Sequence, residues 1–192
     1  MKVSIRTICF VGMLTAVISV LSILTIPTPW GVPFTLQTFA VALAGFVLGK
    51  KYGTISTALY VLIGLIGVPV YAGLSAGPGV LFGTSGGYLF GFIVMTFFSG
   101  LAMECATRLE SKAVGMTLAV VFSVVGLACC HILGIVQLKF VIGSTFLYAA
   151  SIGSVPYLLK DVLSVVAAYL VAVAVRKALR SANLFDENKA VV

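Results

Sequence analysis

The sequence predicts an all-α integral membrane protein, a bundle of six transmembrane helices with both termini in the cytoplasm. Hydrophobic residues make up 61% of the 192 residues and charged residues only 9%, whereas a soluble domain carries about 25% charged residues. The apolar residues are gathered into spans that approach the length of a bilayer crossing. Basic residues stand at alternate ends of these spans, the distribution expected of loop charges that set membrane orientation. Lipid must therefore surround most of the chain.

The six spans are separated by polar, proline-rich or glycine-rich segments. With approximate ends, they cover residues 8–26, 37–49, 52–68, 88–104, 113–133 and 156–175. The second would be only about 18 Å long at 1.5 Å per residue, so it must begin near Pro33 or leave part of the preceding loop inside the protein. The first is expected to be retained, because its apolar run is longer than that of a signal peptide. Residues 1–180 form one membrane domain, and residues 181–192 are predicted to be a polar, disordered cytoplasmic tail.

Basic residues predict the orientation of the bundle. All of the 12 lysines and arginines except Lys139 and Lys160 fall on one side of the spans, which the positive-inside rule makes cytoplasmic. These are Lys2, Arg6, Lys50, Lys51, Arg108, Lys112, Arg176, Lys177, Arg180 and Lys189. Charges scattered in ones and twos form no basic stripe, which excludes a nucleic-acid-binding surface. The chain is predicted to be a multi-pass protein of the cell membrane.

Lys160 and Asp161 stand side by side in an otherwise apolar span. Asp161 precedes Arg176 by 15 residues, or about 22 Å of helix, which places it about two turns below the outer surface of the hydrocarbon. An ionisable group at that depth is costly and marks a binding site or a buried pair. Alternatively, Lys160 snorkels to the headgroups and Asp161 caps the helix. Neighbouring side chains diverge by about 100°, so at least one of the two faces the bundle.

The uncharged loops 26–37 and 69–86 open on the same outer side, which predicts an outward-facing pocket. Gln37 stands at its mouth, where it binds a ligand or satisfies loop backbone groups. Two interpretations are open for Tyr88: it lines the cavity, or it packs within the bundle. The same two apply to Tyr60, Tyr71 and Tyr157. Trp30 is interpreted as an interfacial anchor.

The stretch "FGTSGGYLFGF", residues 82–92, leads into the fourth span. The N-terminus of that helix offers an anion site, while Gly86, Gly87 and Gly91 equally suit tight helix packing. No Gly-Lys-Ser/Thr follows, so the stretch is not a nucleotide loop. On the first span, Gly12 and Ala16 form a small-xxx-small face that permits close helix contact, within the chain or with a partner.

The triplet "CCH" at residues 129–131 has the residue types of a metal site. Three consecutive helix positions spread over about 200° and cannot converge on one ion, so His131 is interpreted as a core or interface histidine. The cysteines have no disulfide or metal spacing and are interpreted as small core residues: Cys9, Cys105, Cys129 and Cys130.

Four motifs stand out along the chain: "VPFTLQTFAVALAGFVLG", "GLIGVPVYAG", "GTSGGYLFGF" and "SVPYLLKD". They closely resemble the BioY family of biotin-binding S components of energy-coupling-factor (ECF) transporters, and the similarity extends over nearly the whole chain. The resemblance implies six helices around an outward-facing biotin site. It also implies a transmembrane T component, met by Gly12 and Ala16, and two ABC-type ATPase subunits. No cofactor is implied besides the ligand itself.

The resemblance also selects the candidate ligand-binding residues: Asp161, Lys160, Gln37, Tyr88, Ser164 and Gly73, which ends the second motif. The family reads Pro-Phe-x-x-x-Asp-x-x-Lys at the start of its last helix. Here Ser164 stands in the place of that lysine, and Lys160 directly precedes the aspartate. Either Lys160 supplies the missing cation, or this chain binds a modified or more weakly held ligand.

Three classes of function compete: a substrate-binding transport subunit, a membrane enzyme and an assembly subunit without a ligand. An enzyme would have to use His131 with Asp161, or a cysteine. With one histidine and five acidic residues in the chain, too few groups remain for an acid–base pair and a stabilised intermediate. The transport subunit, for biotin or a different vitamin, is therefore the predicted class.

Overall fold

A computed structural model of the chain describes residues 4–29, 32–109 and 111–184. Seven α-helices account for most of the described residues: α1 Ile5–Ile23, α2 Gln37–Leu65, α3 Pro78–Leu81, α4 Gly86–Ala106, α5 Lys112–Ile142, α6 Phe146–Gly153 and α7 Leu158–Ser181. A short antiparallel pair, β1 Thr25–Ile26 with β2 Phe34–Thr35, connects α1 to α2. The predicted anchor Trp30 and residues 185–192 of the predicted tail lie outside the described residues.

Four helical segments of the described chain are long and apolar enough to cross a membrane. They are Ile5–Ile23, Gly86–Ala106, Ala113–Ile142 and Phe146–Ser181, the last of which joins α6, a 3-10 turn and α7. The prediction of a helical membrane protein is therefore confirmed at this level. The second and third predicted spans form the single element α2, which breaks at Gly49 into arms 37–48 and 50–65.

Gly49 sets the break in α2 through its backbone. Its φ of 78° and ψ of 176° lie in a region that only glycine adopts readily. Carbonyl groups freed at the end of the first arm accept from the Arg176 guanidinium, at 3.1 Å for Phe46 and 3.2 Å for Val47. Carbonyls at a helix end need such partners. The α7 helix therefore caps the first arm of α2.

The same end of the bundle carries an ion pair, the start of α1 and the end of α7. Lys50 Nζ lies 3.2 Å from Glu104 Oε2, and the Lys50 backbone N–H donates to Glu104 Oε1 at 3.0 Å. Arg6 reaches across from the start of α1 to the carbonyl of Asn183, just after α7, at 3.4 Å. The first and last helices thus meet where the basic residues gather.

Small and polar residues allow α4 to lie close to its neighbours. A Cβ added at Gly91 would come within 2.6 Å of Cys130 Cα on α5, and similarly close contacts surround Gly86 and Gly87. Of the two interpretations of this glycine stretch, tight packing is thus present in the structure. Thr96 also shares a hydrogen bond of 2.8 Å with Thr57 of α2, the polar contact typical of membrane helix pairs.

The fifth helix continues nine residues beyond its predicted end at 133, as far as Ile142. Gln137 and Lys139 interrupt the apolar run but not the backbone. The Gln137 amide donates to the carbonyls of Leu81 and Gly83 at 2.9 and 2.8 Å, so its polarity is satisfied inside the bundle. The helix ends only where Gly143 adopts a left-handed conformation with φ of 63°.

Candidate ligand-binding site

A cavity of about 380 Å³ lies at the end of the bundle where α2, α4 and α7 begin. Its polar lining comes from several elements: Thr35, Gln37, Thr38, Tyr71, Ser75, Thr84, Ser85, Tyr88, His131, Tyr157, Lys160 and Asp161. Its apolar wall includes Val32, Leu89, Phe92 and Leu127. A pocket of this size, largely apolar with a few convergent polar groups, is typical of a small-molecule site.

The hairpin formed by β1 and β2 lies against the start of α7 beside the cavity. The Tyr157 hydroxyl donates to the carbonyl of Val32, and the rings of Phe34 and Tyr157 lie 4.4 Å apart. These contacts hold the loop before α2 onto the bundle. The first arm of α2 begins at Gln37 and not near Pro33. Of the two alternatives for the short second span, the structure therefore has the one in which part of the loop lies against the protein.

Asp161 lies in the first turn of α7 with only 5% of its surface exposed. Its Oδ1 accepts from the Thr38 hydroxyl at 2.7 Å and from Lys160 Nζ at 2.5 Å. The position in the first turn also favours a negative charge, because the helix dipole is positive there. The carboxylate therefore faces the bundle and the cavity, and it is held from two helices.

The Lys160 side chain bends around α7 to the carboxylate of the next residue, Asp161. Its ammonium contacts Asp161 and also donates to the carbonyl of Thr35 in β2 at 3.0 Å. Snorkelling would carry this ammonium away from the bundle, but the structure places it between the hairpin and the buried carboxylate. Removing Lys160, whose side chain is 28% exposed, would leave the buried Asp161 carboxylate without its cation.

His131 joins this cluster from α5, although the sequence predicted it to be a core or interface histidine and paired it with Asp161 only in the enzyme alternative. Its Nε2 lies 3.3 Å from Asp161 Oδ2, and its Nδ1 lies 2.9 Å from the hydroxyl of Ser154. His131 stands 19 residues after Lys112, about 28 Å along α5, so residue counting puts it in the same half of the bundle as Asp161. Nothing in the sequence shows that these two helix faces meet, since that depends on how α5 and α7 pack.

Gln37 and Tyr88 both line the cavity and both make structural hydrogen bonds. The Gln37 amide donates to the Tyr60 hydroxyl at 2.7 Å and its carbonyl accepts from Thr35 Oγ1 at 2.9 Å. The Tyr88 hydroxyl donates to the carbonyl of Gly153 at 2.6 Å. Gln37 therefore fixes the loop before α2 and still borders the cavity.

Tyr71, in the loop between α2 and α3, donates its hydroxyl to the carbonyl of Val61 at 2.5 Å. Burial raises the pKa of Tyr71 to about 12, because the phenolate would lose its hydration. The side chain therefore remains a neutral part of the cavity wall at any physiological pH.

Two predicted site residues do not line the cavity. Ser164 borders a separate groove between the start of α2 and α7, whose lining also includes Phe39 and Lys160. It is not among the residues that line the cavity. Gly73 is exposed in a 3-10 turn with φ of 65°; its neighbour Ala72 lines the cavity instead.

Gly12 and Ala16 are both exposed on the outward face of α1. No atom lies within 4 Å of the position that a Cβ on Gly12 would take. Within the described part of the chain, this face is therefore not used for helix packing.

An apolar helical bundle with a lysine–aspartate pair buried beside a cavity defines a membrane protein that binds a small ligand. The sequence profile of the BioY family matches residues 1–181. The chain belongs to the BioY family.

Named relatives and a solved structure agree with this assignment. The chain is 41% identical to a Thermotoga maritima protein named biotin transporter BioY, over 90% of this chain and 96% of that protein. It is 32% identical to biotin transporter BioY2 of Lactococcus lactis subsp. cremoris, over 90% and 91%. Its fold matches a crystal structure of the S component for biotin from an ECF-type ABC transporter, with a TM-score of 0.79, 26% identity, and coverage of 90% of this chain and 92% of that one.

Proposed function

We propose that this protein is the biotin-binding S component of an ECF-type vitamin uptake transporter. It captures biotin in the cavity, which faces outward, and delivers it inward with an ATP-driven module. The observation that carries the proposal is the pair of Lys160 with the buried Asp161, which lines a cavity of about 380 Å³ in a chain whose relatives are named biotin transporters. The chain itself acts as a transport subunit and not as an enzyme.

The chemistry of biotin suits the groups around the cavity. The ureido ring offers two N–H donors and one carbonyl, and the thiophane ring is apolar. Thr38 and Lys160 both bond Oδ1 of Asp161, so Oδ2 keeps capacity to accept a ureido proton. Leu89, Phe92 and Leu127 supply apolar surface for the rings.

Lys160 takes the part of the family lysine that Ser164 replaces. The 2.5 Å contact between Lys160 Nζ and Asp161 Oδ1 supports this assignment, because it shows that a cation at position 160 reaches the carboxylate. The position of Ser164 in a separate groove supports it as well. The ammonium is then available to the carboxylate tail of the ligand.

Six membrane crossings follow if each arm of α2 crosses separately, together with α1, α4, α5 and α7. Both termini then lie in the cytoplasm, at the end marked by the Lys50–Glu104 pair and the contact between Arg6 and Asn183. The basic residues at that end support this orientation in the cell membrane.

The partners of the subunit are a transmembrane T component and two ABC-type ATPases. The exposed small residues Gly12 and Ala16 support a docking face on α1, since small residues allow helices to approach closely.

A binding panel tests the function directly. Purified protein in detergent or nanodiscs is titrated calorimetrically with biotin, thiamine and riboflavin. We expect saturable binding of biotin alone. Binding of another vitamin in preference to biotin would reassign the substrate, and binding of none would favour an assembly subunit.

A further inference from the structure

The Nε2 atom of His131 is buried, and its contact with Asp161 Oδ2 at 3.3 Å lacks the geometry of a good hydrogen bond. Only 7% of the residue surface is exposed. Buried polar atoms are nearly always bonded, so an exception needs a cause. Here the atom stands beside the carboxylate that faces the cavity, where a ligand would complete its contacts.

The Nδ1 atom, on the other side of the imidazole, can keep its hydrogen bond with Ser154 in both protonation states of the ring. The Tyr88 hydroxyl gives its proton to the carbonyl of Gly153 at 2.6 Å and lies 3.3 Å from Ser154 Oγ. In the neutral ring, the Ser154 hydroxyl donates to Nδ1, and Nε2 carries the proton. In the imidazolium, Nδ1–H donates to Ser154 Oγ, and the hydroxyl proton of Ser154 turns to the Tyr88 oxygen. In both protonation states of the ring, Nδ1 and the Ser154 hydroxyl keep a hydrogen-bond partner.

The charges around the cavity leave no surplus cation for an anionic ligand. Among the described lining residues, only Lys160 and Asp161 are permanently charged at neutral pH, and they neutralise each other. The remaining titratable groups that line the cavity are Tyr71, Tyr88, Cys130 and Tyr157. The α2 helix presents the uncharged Gln37 and Thr38. A bound carboxylate would therefore leave one negative charge in excess in a poorly solvated site.

We propose that His131 completes the ligand site and that capture of a carboxylate ligand takes up a proton from water at its imidazole. The step is a simple protonation: water or buffer supplies the proton, and the ring becomes an imidazolium with both N–H groups bonded. The inference rests on the proposed function in one respect, the anionic character of the ligand at neutral pH.

Calorimetry in two buffers tests the proton count. The wild-type protein is titrated with biotin at neutral pH in phosphate and in Tris, whose ionisation enthalpies differ, so the difference in heat reports protons taken up. We expect an uptake that approaches about one proton per ligand at neutral pH and that decreases as the pH of the titration is lowered. Biotinamide, which lacks the negative charge, should bind with little or no uptake.

Variants separate this inference from the function itself. His131→Gln keeps an amide donor but cannot titrate, so biotin should still bind, more weakly, without proton uptake. Cys129→Ala, on the same helix but outside the cavity lining, should keep the wild-type proton count. Biotin binding without uptake in the wild type, or with undiminished uptake in His131→Gln, would overturn the proposal. Failure of the wild type to bind biotin at all would instead reject the proposed function.

Discussion

At the scale of the residue, the main feature of the site is one buried carboxylate and the neighbouring groups that stabilise its negative charge. Asp161 can remain charged away from water because Thr38 and Lys160 bond one oxygen and His131 lies beside the other. Charges at membrane depth are retained where they are paired and functional. A substitution of Asp161 or Lys160 therefore alters the charge balance beside the cavity.

Replacing Asp161 with asparagine should remove most of the biotin affinity. The amide keeps the volume but loses a charged acceptor, and it leaves Lys160 without its partner. We expect a loss of about 1.5–3 kcal/mol in binding free energy, or roughly tenfold to more than a hundredfold in Kd. Calorimetric titration of the purified variant measures this, with thermal unfolding as a check on folding. Unchanged affinity would remove Asp161 from the site.

Lys160→Ala should weaken biotin binding more than Lys139→Ala does. Lys139 is a suitable control because it lies in the last turn of α5 and does not line the cavity. The comparison is made from Kd values of the two purified variants. Equal effects would reduce Lys160 to a peripheral residue.

The double variant Lys160→Ala/Ser164→Lys tests whether Lys160 replaces the lysine that the family has at position 164. Ser164→Lys restores the family pattern, and a lysine side chain is much longer than that of serine. If Lys160 substitutes for the family lysine, Ser164→Lys should recover part of the affinity lost in Lys160→Ala. No recovery would mean that position 164 cannot reach the ligand in this chain.

At the scale of the element, Gly49 determines where α2 divides. Its φ and ψ of 78° and 176° are nearly matched by Gly77, at 89° and 175°. A Cβ at Gly49 would lie 2.9 Å from Glu104 Oε1, whereas a Cβ at Gly77 would meet nothing within 4 Å. The two positions thus share one backbone conformation in different surroundings.

Gly49→Ala should therefore destabilise the protein more than Gly77→Ala. Both variants carry the strain of a disfavoured backbone conformation, about 1–3 kcal/mol. Only Gly49→Ala must also displace the Glu104 side chain and disturb its pair with Lys50. Thermal unfolding in detergent measures the difference. Equal losses would show that Glu104 moves aside at no cost.

The helices were largely predictable from the sequence, because continuous apolar runs and flanking charges are local properties. The break at Gly49 coincided with the boundary between two predicted spans, marked by the glycine and two lysines that follow. The end of α5 was misplaced because the polarity of Gln137 is satisfied by carbonyls of the α2–α4 connection, which the local sequence does not reveal.

The site was predictable only in part for a similar reason. Asp161 stands out in the sequence as an acidic residue in an apolar span. His131 does not, since its importance comes from a 3.3 Å approach to a residue 30 positions away. Ser164 was selected through the family pattern, and its position in the separate groove follows from the packing of α7.

At the scale of the whole molecule, the two ends of the bundle are chemically different. One end has the cavity, the hairpin and the Lys160–Asp161 pair; the other has the Lys50–Glu104 pair and the Arg176 cap. This polarity suits a subunit that collects a ligand at one end and contacts an energising module elsewhere on its surface. The exposed face of α1 is the candidate for that contact, and it lies outside the cavity lining.

Ala16→Leu should lower biotin uptake by cells that contain the complete transporter while leaving biotin binding unchanged. The residue is exposed on α1, so a larger side chain costs little within the subunit. At a close helix contact, however, overpacking costs about 1–3 kcal/mol. Ala128→Leu is the matched control, because Ala128 is exposed on α5, away from this face. Labelled biotin uptake and calorimetric Kd are measured for both variants. Undiminished uptake in Ala16→Leu, or an equal loss in Ala128→Leu, would place the docking surface on another face of the bundle.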